Sequence, residues 1–462
     1  MNYNILLDTD SYKASHFLQY PPGTEGMYSY LESRGGRYGQ TVFFGLQYLL
    51  SEYLSKPVTA AMVDEAREFF AEHGVPFNYE GWMDVVNRLG GRLPISIRAV
   101  PEGTLVPTSN VLMTVESTDK RAFWTVGYLE TVLMRMWYPI TVATQSWHIR
   151  RIISDYLERT SDNASAEIGF KLHDFGSRGV SSSESAAIGG AAHLVNFIGS
   201  DTVAGARLAN QVYGAKMAAF SIPAAEHSTV TAWGREGEVD AYRNMLTQFA
   251  KPGKIVAVVS DSYDLWHAIE KLWCGTLKRE VIDSGATVVI RPDSGNPPEV
   301  VLRAMKMLAE GFGTTFNTRG FKVLNHVRVI QGDGVNEDSI REILEVITRA
   351  GFSATNLAFG MGGALLQKLD RDTQKFAFKC SEITRNGHSV PVFKDPVTDP
   401  GKTSKKGRLD LILRNGHFRT VSGQGSYGSV LEEVFRNGEI LRRETFDEIR
   451  ARANPREEMA AL

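Results

Sequence analysis

Between residues 168 and 383 the hydrophobic positions gather into short, unbroken runs, and most runs stop at glycine, serine or a charged side chain. The runs lie within 168 to 179, 196 to 205, 216 to 228, 254 to 264, 286 to 296, 326 to 336, 356 to 364 and 375 to 383. Short apolar runs bounded in this way predict buried strands. The segments between them change period. PPEVVLRAMKMLAEGF (297 to 312) opens on proline and repeats apolar residues at helical spacing; EDSIREILEVITRAGF (337 to 352) does likewise and closes on Gly351. Strands alternating with helices predict parallel pairing. Eight units in roughly 215 residues match a (β/α)8-like barrel over 151 to 383, an α/β fold whose functional groups gather at the carboxyl ends of the strands.

The flanks follow another pattern. LPISIRAVPEGTLVP (93 to 107), SVPVFKDP (389 to 396) and RLDLILRNGHFRTV (408 to 421) read as short strands and turns, and AFWTVGYLETVLMRMW (122 to 137) as an apolar helical stretch. Residues 1 to 150 with 384 to 462 are therefore expected to form a packed α+β flanking domain. A length of 462 residues suits two such parts. With 51 basic and 53 acidic residues the formal charge is −2, so no global field recruits nucleic acid or a membrane surface, and any anion site must be local. Only Cys274 and Cys380 are present, which excludes a zinc ribbon and leaves both as packing residues. The start, MNYNILLDTDSYK, has no basic leader, and no window holds about twenty apolar residues, so a cytoplasmic location is expected.

The strand ends supply the chemistry: Asp174, Arg178, Asp201, His227, Asp261, Asp264, Arg291, Asp293, Asp333 and the glycines of 360 to 363. A phosphorylated sugar needs this mixture of arginines for phosphate oxygens, carboxylates for hydroxyls or a magnesium ion, and bare backbone where N–H groups approach an anion. Singly, each feature has an ordinary structural explanation, such as a plain loop for FGMGG or a salt bridge for Arg291 and Asp293. Their expected meeting at one barrel face favours the functional reading.

DTDSYKASH, HDFGSRGVSS, GSDTVAG, SIPAAEHSTVTAWG, VVSDSYD, IRPDSGNP, VIQGDGVN, AFGMGG, LLQK and FKDP occur in this order along nearly the whole chain. In that set the sequence resembles the nicotinamide phosphoribosyltransferase family, type II phosphoribosyltransferases. The resemblance implies a barrel with a flanking domain and a head-to-tail homodimer with shared active sites. It also implies joining of nicotinamide to 5-phosphoribosyl 1-diphosphate with Mg2+, stimulated by ATP.

Residue by residue, the resemblance implies that Phe175 and the partner copy's Tyr12 sandwich the pyridine ring, while Asp201 accepts a hydrogen bond from its carboxamide. Ser221 lines that pocket, and Ser260 and Asp264 lie near the amide or in a tunnel through the barrel. Arg178 and Arg291 contact phosphate, Asp293 holds ribose hydroxyls, and Gly332 and Asp333 complete the sugar site. Gly362, Gly363 and Arg371 receive the 5′-phosphate. His227 is the residue phosphorylated by ATP. Arg34, Lys379, Lys394 and Lys402 bring positive charge across the dimer interface. No direct metal ligand is assigned. Ser177 and Ala377 depart from the family pattern, as do shortened segments around GRYGQ and KMAAF.

Overall fold

The short apolar runs of the central region form a parallel sheet. In the computed structural model, which describes residues 3–399 and 402–455, five strands lie in the order Leu172–Asp174, Leu357–Met361, Val327–Gln331, Thr287–Arg291 and Ile255–Val259. All four pairings are parallel, and Ala257 lies opposite Val289 while Ile330 lies opposite Ala358. Two further runs contribute isolated parallel bridges rather than full strands: Asp174 to Ser200, Gly199 to Phe220, and Ala224 to Ala257. The strands are buried on both faces, as parallel strands with helical crossovers must be. On one face Ala257, Val289 and Ile330 pack with Phe175, Ile222 and Ala358. Val256, Val258, Val288, Ile290 and Val329 alternate with them and are fully buried.

The two expected helices are present as Pro297–Phe312 and Glu337–Arg349. Proline at the first helical position starts one, and Asn336 caps the other by accepting from the Asp338 and Ser339 backbones. The chain divides into two compact units: one of the described residues up to Thr144 with Gln211–Ala215 and Leu369–Ala453, the other mainly of Gln145–Asn210 and Lys216–Lys368. The end of the expected flanking domain, beyond residue 455, lies outside the described residues.

One of the eight expected barrel strands belongs elsewhere. The run at 375 to 383 forms Phe376–Arg385, which pairs antiparallel with Thr24–Ser33 from Thr24 opposite Arg385 to Ser33 opposite Phe376. It is a strand of the first unit's seven-stranded sheet, ordered His388–Pro391, Phe376–Arg385, Thr24–Ser33, Val111–Ser117, Ile95–Ala99, Glu432–Arg436 and Glu439–Ile440. The large apolar residues Trp82, Trp124, Tyr128, Leu133 and Phe435 share this unit's core. The stretch 122 to 137 breaks into short helices, Thr125–Tyr128 and Glu130–Met134, instead of one. Among the described residues no helix is long and apolar enough to cross a membrane.

Candidate active site

The parallel strands of the second unit end in, or run directly into, polar groups or glycines, and several of these line one cavity of about 760 Å³. Phe175, Arg178, Asp201, His227, Arg291, Asp293, Gly332, Asp333 and Gly362 all border it, joined by Thr202, Glu226 and Ser228. Arg291, the last residue of its strand, donates from Nε (3.1 Å) and Nη2 (2.9 Å) to one oxygen of Asp293. This pair lies across the backbone of Gly332. A Cβ there would stand 3.0 Å from Arg291 Nε and 3.1 Å from Asp293 Oδ1.

Phe175 is seated in a similar way. Its N–H donates to the Met361 carbonyl at 3.0 Å, and a Cβ on Gly360 would fall 1.9 Å from a ring carbon, so only glycine leaves room for the ring. The Arg291 guanidinium carbon sits 5.4 Å from the ring centroid, within cation–π range. Asp201 accepts a short hydrogen bond from the Ser221 hydroxyl.

Asp261 organises the other side. Its Oδ2 accepts from the Asp293 N–H (3.0 Å) and the Ser294 hydroxyl (2.6 Å), while its buried Oδ1 has no hydrogen-bond partner. His227 turns Nδ1 toward Ser262 Oγ at 3.0 Å and Nε2 toward two carboxylates, 3.5 Å from Asp293 and 3.7 Å from Asp261. Asp174, the last residue of the strand Leu172–Asp174, is fully buried. Loss of water pushes its carboxyl up to about 6, opposed by the Gly176 N–H and the Thr202 hydroxyl. The sequence places Asp261, which organises the Asp293 turn, among the strand-end carboxylates without a specific role; its position two residues past the buried strand Ile255–Val259 is the signal.

Several expected residues lie elsewhere. Ser260 is fully buried, donating to the Val258 carbonyl and accepting from Trp273 Nε1, each at 3.0 Å, so it does not border the cavity. Asp264 caps the turn at Leu265–His267 and borders a neighbouring cavity with Tyr263, Trp266 and Arg235. Gly363 opens the short helix Gly363–Leu366 beside Gly362. Tyr12 is in the first unit, 58% exposed, with its ring edge-on to His16.

Arg371 also belongs to the first unit, where it joins Arg34, Lys379, Lys394 and Lys402 around a second cavity of about 740 Å³. Lys375 adds a sixth cation, against the acids Glu130, Asp372 and Asp399. Burial, with the charges of Arg34, Arg371 and Lys394, holds the Lys379 ammonium below the usual lysine range, and Glu130 opposes the shift. Among the described residues no three His, Cys, Asp or Glu side chains form a metal-ligand cluster.

Comparison with known proteins bears on this arrangement. Residues 170–439 match the nicotinate phosphoribosyltransferase (NAPRTase) family, and residues 4–97 match the N-terminal domain of nicotinamide phosphoribosyltransferase. A nicotinamide phosphoribosyltransferase of Xanthomonas campestris pv. campestris is 60% identical over 459 residues, covering 98% of each chain. The chain belongs to the nicotinate phosphoribosyltransferase family. A second member, the nicotinamide phosphoribosyltransferase of Acinetobacter baylyi, is 33% identical over 97% of each chain. The family fold is visible in the crystal structure of human nicotinic acid phosphoribosyltransferase, which has a TM-score of 0.61 at 16% identity and covers 97% of this chain and 93% of its own. Nicotinate-nucleotide pyrophosphorylase from Pyrococcus furiosus has a TM-score of 0.62 at 15% identity, covering 100% and 98%.

Proposed function

We propose that this family member transfers the 5-phosphoribosyl group of 5-phosphoribosyl 1-diphosphate to nicotinamide, giving nicotinamide mononucleotide and diphosphate in NAD salvage. The observation that carries the reading is the single cavity where an aromatic ring, the Asp201 carboxylate and the Arg291–Asp293 pair meet. The near full-length relatives named nicotinamide phosphoribosyltransferase support it. The parallel bridges at Ser200, Phe220 and Ala224 support a barrel-like closure of seven segments as the frame.

In the proposed reaction the pyridine nitrogen attacks C1 of the ribose as the C1–O bond to diphosphate breaks, so positive charge gathers on the sugar and negative charge on the leaving group. No protein nucleophile is needed, and positioning with electrostatic stabilisation does the work. Phe175 would hold one face of the pyridine, with Tyr12 of a second copy on the other in a homodimer. Ser221 would fix one oxygen of Asp201 and leave the other to accept from the carboxamide NH2. A nicotinate carboxylate would instead meet like charge. Arg178 and Arg291 would contact phosphate, Asp293 and Asp333 the ribose hydroxyls, and the Gly362 backbone the 5′-phosphate. The cations around Arg371 and Lys379 would serve the polyphosphate.

Two groups complete the proposal. Mg2+ would neutralise the diphosphate; without a ligand cluster among the described residues, it fits as a counter-ion of the substrate beside Asp261 and Asp293 rather than in a protein cage. His227, with Nε2 turned into the site, would accept a phosphoryl group from ATP. A cytoplasmic location accords with this reading. The test is purified protein with 5-phosphoribosyl 1-diphosphate, Mg2+ and nicotinamide or nicotinate, with and without ATP. Nicotinamide mononucleotide should form, and His227→Ala should keep a slow basal reaction while losing ATP stimulation.

A further inference from the structure

Asp174 is buried, does not line the cavity, and has no part in the chemistry above. It nevertheless touches both loops that carry the proposed pyridine-binding groups. Its Oδ1 accepts from the Gly176 N–H at 2.7 Å, closing the turn that presents Phe175. Its carbonyl accepts from the Asp201 N–H at 3.0 Å, and its backbone is bridged to Ser200. A free peptide turn would not need a buried acid for this.

The remaining oxygen, Oδ2, faces the Thr202 hydroxyl, and neither atom has a hydrogen bond of good geometry. The surroundings are closed. A Cβ on Gly190 would lie 3.0 Å from Thr202 Cγ2 and 3.4 Å from Asp174 Oδ2, and one on Gly205 would lie 2.6 Å from the Gly190 carbonyl carbon. Two helical segments thus seat backbone against backbone over the carboxyl group. A buried carboxylate with one oxygen poorly satisfied is unfavourable for folding alone.

We infer that Asp174 is a positioning residue: its carboxylate closes the Phe175 turn through the Gly176 N–H and packs against Thr202, while its carbonyl holds the Asp201 N–H, fixing the distance between ring-stacking and amide-accepting groups. This rests on the proposed nicotinamide reading for its kinetic consequence, but not for its structural one. Asparagine can reproduce both contacts, because its amide oxygen accepts from Gly176 and its NH2 fills the space of Oδ2 against Thr202. Alanine can reproduce neither.

The test compares Asp174→Ala, Asp174→Asn and Thr202→Val with the unmodified chain. Kinetics are measured with each substrate varied, and amide hydrogen exchange is followed over 174–179 and 200–203. Asp174→Ala should raise KM for nicotinamide roughly tenfold, the scale of one lost hydrogen bond, with KM for 5-phosphoribosyl 1-diphosphate little changed. Exchange should quicken in both loops together. Asp174→Asn should restore both readouts, and Thr202→Val should fall between. If alanine does not fold, the asparagine and valine variants carry the test through the same exchange pattern. Equal loss with both substrates, or faster exchange in one loop alone, would overturn the lock. If the unmodified protein makes no nicotinamide mononucleotide, the function reading fails, and the coupled exchange of the two loops still decides the role of Asp174.

Discussion

The two cavities are nearly equal in volume, about 760 and 740 Å³, yet they are built on opposite plans. The first is set on strand ends, and its groups are fixed by short-range contacts. Arg291 grips one oxygen of Asp293, both rest on Gly332, and Phe175 rests on Gly360. This cavity's four carboxylates, Asp201, Glu226, Asp293 and Asp333, outnumber its two arginines, so individual contacts and shape decide what fits. The second gathers six cations against three acids, chiefly on long side chains. It offers a field more than a mould. The contrast suits the two halves of the proposed substrate pair, a flat neutral heterocycle with its sugar and a flexible polyphosphate.

If geometry governs the first cavity, its substitutions should be the costliest. Arg291→Ala removes the proposed phosphate contact and strips Asp293 of its guanidinium partner, leaving His227 Nε2 at 3.5 Å; apparent affinity for 5-phosphoribosyl 1-diphosphate should weaken by roughly 2–4 kcal/mol. Steady-state kinetics check this, and unchanged affinity would reassign Arg291 to structure. Gly360→Ala forces Phe175 off its seat and should cost about 1–3 kcal/mol, in the range of overpacked cores. Its signature is a raised KM for nicotinamide, with a lowered melting temperature by calorimetry.

The second cavity should respond to pH and salt instead. The Lys379 ammonium is held below the usual lysine range, so it is charged at low pH and its charge is lost as pH rises through that lowered value. Binding of inorganic diphosphate, followed by titration calorimetry, should therefore weaken as pH rises, with the loss setting in at a lower pH than an ordinary lysine would give. Lys379→Met should remove that inflection. Lys394→Ala, at the exposed rim, should have the smallest effect, at most about 1 kcal/mol and shrinking with added salt. A salt-independent loss would mean that the rim, too, works by fixed contacts.

The same contrast explains what the sequence reveals. The strands ending at Val259, Arg291, Gln331 and Met361 are legible because short unbroken apolar runs report burial on both faces, whatever their partners. Phe376–Arg385 has a similar apolar run but pairs with Thr24–Ser33, and nothing local distinguishes an antiparallel partner so distant in the chain. Ser260 and Asp261 differ by one position. Alternation along the chain sends Ser260 to Trp273 in the core and leaves Asp261 to organise the Asp293 turn. The cations of the second cavity lie on separated segments, Arg34 far from Lys394, and no spacing rule predicts their convergence. Family resemblance named most of them; the structure gathers them.

The account turns on Asp201 as the group that selects an amide over a carboxylate. The most direct measurement is kcat/KM for nicotinamide against nicotinate, in the unmodified protein and in Asp201→Ser. The account predicts strong preference for nicotinamide and a shift toward nicotinate in the variant. Equal use of both pyridines by the unmodified protein, or a preference unmoved by the substitution, would contradict it.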